Sequence, residues 1–368
     1  MDKGQAVFRT YTTLARAIAA LPEPVALALG NRVGDVLFHV RTEHRAQVTA
    51  NLARVLGADG DDAAVLDRWA RRSFRGYARY WVEGARLPGT PPAEVVRHVH
   101  IEGIEHLRAG VGSGNGCILA LPHIGSWEYG GAFLATQDLP MTAVAERIEP
   151  PELFDYFVEQ RAAMGLTIVP LDRHSGSTLL ATLRAGKLVG LLCDRDIEGT
   201  GIEVDFFGER TTMPGGPATL ALRTGATLCT GAVYSGPGKD HRAVVEPPLD
   251  TTRTGSLRAD VARLTQEIAT RLEGLIRRAP DQWHVFQPLW LADRPAVDRP
   301  TTGLPTTGDP TTGGPPTDGP TNGGPSTGGP TGGVGAAGAP GGDAAGGDAD
   351  GDARLVPLSD GSSVEAVA

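Results

Sequence analysis

The sequence predicts an α/β protein with a central mixed sheet flanked by helices, preceded by amphipathic helices that could serve membrane association. Three observations predict it. From about residue 95, short apolar runs of strand length alternate with stretches of helical periodicity, the pattern of a sheet covered on both faces. Residues 5–86 show helical periodicity alone. From Thr301 to Asp352 the composition falls almost entirely to Gly, Pro, Thr, Ala and Asp, too little apolar material to offset the entropy of ordering it. The expected organisation is therefore a folded part over 1–295, with helical residues 1–86 and an α/β core over 95–295, and a disordered tail over 296–368.

Each element follows in order. Val7, Tyr11, Leu14, Ile18 and Leu21 recur at spacings of three and four, which builds one face of a first helix. Pro22 and Pro24 end it, and a second apolar helix runs from Val25 to Val40. Arg41–Leu56 carries a thinner apolar stripe. Ala63–Ala85 mixes Arg68, Arg71, Arg72, Arg75 and Arg79 with Trp69, Phe74, Tyr77, Tyr80 and Trp81. Strands are expected at Val96–Ile101, Cys117–Leu121, Met141–Ala145, Leu166–Pro170, Leu188–Cys193, Ile202–Phe207 and Thr227–Tyr234. Helices are expected at Ile104–Ala109, Glu128–Gln137, Pro151–Met164, Gly176–Ala185, Gly215–Thr224 and Leu257–Arg278. The last carries Val261, Leu264, Ile268, Leu272 and Leu275 at helical spacing.

Charge and cysteine content narrow the classes. Seven Asp, one Glu and one Arg from Pro300 onward account for −7 of the formal −9, so the acidity belongs mainly to the tail. The folded part has no basic excess, which disfavours nucleic acid as a partner. Cys117, Cys193 and Cys229 fall in apolar runs without metal-ligand spacing, so no metal is expected. No run of about twenty apolar residues offers a transmembrane helix. Arg16, Pro22, Glu23 and Pro24 interrupt the apolar residues near the start, unlike a cleavable signal. There is no Gly-x-Ser-x-Gly elbow and no Walker loop. The Gly110–Gly116 run precedes a strand instead of following one, so it reads as a turn.

The chemistry concentrates where the buried strand Cys117–Leu121 stops at Pro122 and is followed by His123, Ile124, Gly125, Ser126, Trp127 and Glu128. Strand ends of an α/β sheet present side chains at the crevice where ligands bind. A histidine there can take a proton from a hydroxyl if another group fixes its tautomer. Glu128 offers one carboxylate, five positions on. In Gly201–Phe207, strand alternation puts Glu203 and Asp205 on one face and Ile202 and Val204 on the other. Glu146, Arg147, Arg161 and Arg195 are charged residues beside strand or helix ends. Met213–Pro217 precedes a helix whose amides can accept an oxyanion or a phosphate.

These segments together resemble the bacterial lipid A late-acylation acyltransferases, and among them the actinobacterial phosphatidylinositol mannoside acyltransferases. The likeness runs over residues 5–295. It is carried by Asn51–Leu56, Arg72–Trp81, Pro122–Glu128, Asp194–Asp196, Val204–Gly208 and Met213–Ala218. The acidic position of the His-x4-acid motif holds Glu128, where the family usually carries Asp. The resemblance implies transfer of a long acyl chain, palmitoyl or similar, from acyl-CoA as co-substrate to a mannose hydroxyl, with no resident cofactor. It implies His123 as general base. A glutamate pairs with it, assigned to Glu203, with Glu198 as the neighbouring alternative and Glu128 as the motif partner. It implies substrate contacts at Arg161, Glu146 and Arg195. It also favours an anionic membrane surface as the partner of the N-terminal helices, placing the chain peripherally on the cytoplasmic face of the plasma membrane. Acylation of lipid A, of glycerol phosphate or of a lysophospholipid is the alternative reaction, and a non-catalytic lipid-binding protein the alternative class.

Overall fold

The computed structural model, which describes residues 3–294, begins with four helices: α1 (Lys3–Ala20), α2 (Glu23–Val40), α3 (Thr42–Leu56) and α4 (Ala63–Arg86). The expected tail, 296–368, lies outside the described residues. Helix α2 starts where the prolines demand it, with Pro22 at the N-cap and Pro24 in the first turn. Asp62 starts α4: its Oδ1 accepts from the backbone N–H groups of Ala64 (2.8 Å) and Val65 (3.3 Å), two donors that a helix start leaves open.

Helix α4 is the centre of this layer and packs on α1, α2 and α3. Its contact with α2 is backbone-close at Gly34, where a Cβ would lie 2.7 Å from Arg75 Cα and from Phe74 O. The α4 aromatics turn inward; Phe74 meets Phe38 and Phe286 edge to face, with centroids 5.7 and 5.1 Å apart. Four of its arginines are engaged within the chain. Arg71 and Arg75 bind Asp35 at 2.8 and 2.6 Å, Arg72 binds Asp281 at 2.9 Å, and Arg79 binds Glu83 at 2.5 Å. These acids tie the guanidinium groups within the chain, while the Arg71, Arg72 and Arg75 side chains stay 45%, 57% and 40% exposed. A second outward feature is apolar. On α2, Val25, Leu29, Val33, Val36 and Val40 form one row, each between 46% and 63% exposed. No helix among the described residues is long and apolar enough to cross a membrane.

The core follows as α5 (Pro92–His98), β1 (Val99–Glu102), α6 (Ile104–Gly112), β2 (Cys117–Leu121), α7 (Trp127–Thr136), β3 (Met141–Ala145), α8 (Pro151–Ala163), β4 (Thr167–Pro170), α9 (Ser175–Arg184), β5 (Leu188–Leu192), β6 (Ile202–Phe206), β7 (Glu209–Met213), α10 (Gly216–Thr224), β8 (Thr227–Ser235), β9 (His241–Val245) and α11 (Leu257–Arg277). Seven strands form one mixed sheet in the order β1-β9-β8-β2-β5-β3-β4. Only β8 and β9 pair antiparallel; the other neighbours are parallel. Every residue of β2 is buried, as its unbroken apolar run requires of a central strand.

Three departures from the expected elements have local causes. Residues 92–98 are helical where a strand was expected from Val96, because Pro92 at the first position and Glu94 in the first turn start a helix. Strand β9 follows β8 through a turn closed by Gly236 N–H to Asp240 O at 2.6 Å. Strand β7 returns along β6 through Phe207 and Gly208, both at positive φ (53° and 82°), the backbone of a type I′ hairpin turn. Phenylalanine rarely adopts that conformation. Here Phe207 N–H donates to Glu273 at 2.7 Å, and Arg277 lies 4.7 Å over its ring.

After α11 the chain crosses back over the sheet's crevice end. Trp283 bridges to Ile124 and Trp290 bridges to Thr211. Helix α3 holds this crossing segment: Asn51 donates to Val285 O at 2.9 Å and to Gln287 O at 3.3 Å, and Arg54 binds Asp293 at 2.7 Å. His284 is sealed beneath it, its Nε2 donating to Gly125 O at 3.2 Å. Burial pushes the imidazole down from 6.5 to about 4, and nearby His123 adds to the effect. The depressed value means that the unfolded chain binds this proton first. The stability contributed by neutral His284 is complete above pH 6.5 and is lost as pH falls from 6.5 to about 4. The loss is about 3 kcal/mol at about 1.4 kcal/mol per pKa unit. Urea midpoints measured from pH 7 to pH 4 should fall more steeply for the wild type than for His284→Asn. Parallel curves would show that the imidazole titrates alike in the folded and unfolded chain.

Candidate active site

Parallel pairing brings the two central site residues together. Strands β2 and β5 run in register with Leu121 opposite Leu192, so the second residue beyond each is His123 and Asp194. Both leave the sheet at its carboxyl end, where such sheets open. His123 Nδ1 lies 2.5 Å from Asp194 Oδ1, and His123 N–H donates to Asp194 Oδ2 at 2.9 Å. Trp283 Nε1–H donates to the same Oδ2 at 2.7 Å. Asp194 is 0% exposed and His123 7%. Burial alone would raise the Asp194 carboxyl, but His123 and the Trp283 donor hold it below its ordinary value. An ionised carboxylate only accepts, so Nδ1 of His123 carries its hydrogen and Nε2 keeps a lone pair.

The loop that presents His123 has little freedom. Its carbonyl accepts from His284 N–H at 2.7 Å, and Gly125 N–H donates to Gln282 O at 2.8 Å. Gly125 has φ 57°, and a Cβ there would stand 1.9 Å from Val233 O. Only glycine fits that approach to β8.

His123 faces a cavity of about 610 Å³. Apolar side chains from four elements line much of it, among them Val144, Leu179, Leu180, Leu191 and Leu220. Arg195, Arg161, Glu146, Glu198 and Arg223 border it, as do Pro214–Pro217 at the start of α10. Burial raises the Glu146 carboxyl, with Arg195 and His123 opposing the shift. Arg147 turns away and binds Asp172 on the surface at 3.5 Å.

The structure thus gathers His123, Glu146, Arg161, Arg195 and Glu198 at one cavity and leaves two expected partners elsewhere. Glu203 does not meet His123. It alternates with Val204 as expected, but β6 belongs to the separate β6–β7 hairpin, whose Val204 and Phe206 face is buried. Glu203 therefore points outward and pairs with Arg210 across the hairpin. Glu128 does not meet His123 either. It lies in the first turn of α7 and is buried, its Oε1 accepting from Tyr80 OH and from Arg161 Nη2, both at 2.9 Å. Asp194 holds the position assigned to a glutamate. A signal for it was present: it follows an apolar strand just as His123 does.

Residues 5–292 match the family model described as bacterial lipid A biosynthesis acyltransferase. The phosphatidylinositol mannoside acyltransferase of Mycolicibacterium smegmatis is 37% identical over 294 residues, spanning 79% of this chain and 93% of the relative. A protein of the same description from Mycobacterium tuberculosis is 39% identical over 304 residues, spanning 79% and 92%. Among solved structures, the 1-acyl-sn-glycerophosphate acyltransferase of Thermotoga maritima aligns with 70% of this chain and 98% of its own. That match has a TM-score of 0.33 and 12% identity.

Proposed function

The chain belongs to the bacterial lipid A biosynthesis acyltransferase family, and we propose that it moves a long-chain acyl group, palmitoyl or similar, from acyl-CoA to a mannose hydroxyl of phosphatidylinositol mannoside. That it is an enzyme transferring acyl groups to a lipid follows from the family. The donor, the sugar hydroxyl and the residue roles are our reading. The observation that carries it is the His123–Asp194 pair at the mouth of an apolar cavity. The resemblance of the sequence to mannoside acyltransferases supports the acceptor.

In this reading His123 Nε2 takes the proton of the sugar hydroxyl as its oxygen attacks the thioester carbonyl. Asp194 stabilises the imidazolium that forms and keeps the ring in the productive tautomer. The tetrahedral intermediate collapses with cleavage of the carbon–sulfur bond and formation of the ester, and the imidazolium returns its proton to the departing CoA thiolate. A thiolate leaves readily, so one base serves both steps. Arg195, bordering the same cavity, supplies positive charge toward the anionic parts of donor or intermediate. The apolar lining receives the acyl chain.

The acceptor is a lipid, and the row Val25–Val40 on α2 gives the protein an apolar face with exposed Arg32 and Arg41 beside it. We assign that face to an anionic bilayer surface, where apolar burial and attraction to lipid phosphates act together. In this reading the enzyme works peripherally, on the cytoplasmic face of the plasma membrane.

Three outcomes follow. Purified protein given labelled palmitoyl-CoA and membrane lipids should label phosphatidylinositol mannoside; label found only in lipid A precursors or lysophospholipids would reject the acceptor. In that assay His123→Ala should abolish transfer and Asp194→Asn should lower turnover by about 10³-fold or more. Glu203→Gln should stay within about twofold, since an exposed ion pair contributes little. Equal losses in the two acid variants would return the partner role to Glu203. Finally, sedimentation with anionic vesicles should exceed that with neutral ones and should fall in a Val33→Ser/Val36→Ser/Val40→Ser variant. Unchanged sedimentation would remove α2 from the membrane contact.

A further inference from the structure

We propose that Tyr80 is a positioning residue of the active site: it holds the Glu128 carboxylate from the helical layer so that Arg161 is fixed at the cavity beside His123. The proposal rests on the acyl-transfer reading of that cavity. Tyr80 sits in the middle of α4, in the Arg72–Trp81 segment, and is 5% exposed. Its hydroxyl donates to Glu128 Oε1 at 2.9 Å, the same oxygen that accepts from Arg161 at 2.9 Å. Among the described residues, Glu128 Oε2 is buried without a hydrogen-bond partner. Two donors thus hold a buried carboxylate through one oxygen, and removing the phenol leaves Arg161 as the remaining donor to that oxygen among the described residues.

What Glu128 holds matters for the cavity. Arg161 is 5% exposed, lies over the Trp127 ring at 5.2 Å and over the Phe157 ring at 5.6 Å, and borders the same cavity as His123. A guanidinium this deep requires an ionised partner. The Tyr80 ring reaches the other side of the catalytic loop as well. It lies 5.4 Å from the ring of His284, whose backbone N–H binds His123 O. The phenol is itself a neutral donor, since burial and the neighbouring Glu128 raise its ionisation well above the ordinary value. Tyr80 therefore joins the helices that carry the exposed apolar row to the loop that carries the base.

The experiment compares wild type, Tyr80→Phe, Glu128→Gln and the double variant in acyl transfer from pH 5 to pH 9, with urea unfolding of all four. Tyr80→Phe keeps the ring and removes only the oxygen. Turnover should fall about tenfold, the order expected for one hydrogen bond to a charged group, with KM for either substrate nearly unchanged. In the Glu128→Gln background the same change should cost almost nothing further. Incorporating 3-fluorotyrosine at position 80 keeps the hydroxyl donor and should therefore restore wild-type turnover, which Tyr80→Phe lacks. Wild-type turnover in a folded Tyr80→Phe enzyme, or losses that multiply in the double variant, would overturn the proposal. If Tyr80→Phe does not fold, wild-type turnover in a folded Glu128→Gln enzyme would do the same. A wild type without any transfer would instead bring down the acyl-transfer reading. The unfolding cycle still decides the hold in that case, and zero coupling between positions 80 and 128 would reject it.

Discussion

One buried carboxylate organises this protein. Asp194 accepts from the backbone of His123, from its ring and from the indole of Trp283. These donors belong to the loop after β2 and to the segment after α11, while Asp194 itself lies just beyond β5. Three stretches of chain, distant in sequence, are therefore ordered by the same pair of oxygens. A carboxylate with no exposure is costly unless its lone pairs are met by donors. Meeting them fixes the ring of His123, the crossing of residues 280–290 and the shape of the cavity mouth together.

The same logic recurs one layer out. Glu128 between Tyr80 and Arg161, Asp35 between Arg71 and Arg75, and Asn51 against Val285 and Gln287 are each polar groups tying one layer to another. None is a reservoir of great stability, since buried pairs lose in desolvation much of what they gain in attraction. Their effect is geometric. Apolar contacts between α4 and its neighbours would tolerate some sliding, but a bidentate arginine or a tyrosine hydroxyl does not.

Much of this was legible in the sequence, and the misses share a cause. The four N-terminal helices, the buried strand β2 and His123 beyond it were readable because periodicity, proline and strand ends are local signals. The parts that were not readable depend on register. Asp194 meets His123 because Leu121 lies opposite Leu192, a fact about two strands separated by three helices and two other strands. Alternation in β6 correctly separated Glu203 from Val204 but could not say which face looks toward the cavity. Nearness in sequence favoured Glu128, whereas helix α7 carries it inward to Arg161. The partners of the α4 arginines, Asp35 and Asp281, were not readable because they are remote in the chain.

The crossing segment also sets an order of events on the ribosome. Asn51 reaches Val285 across 234 positions, so the contact forms only after nearly all of the described chain has been synthesised. Long loop closures of this kind come late in folding. Until Trp283 arrives, Asp194 lacks its indole donor and His123 lacks the backbone bond from His284. The helices with their exposed valine row, by contrast, emerge first and need no distant partner to present that face. Nascent protein thus presents that apolar face before its site is assembled.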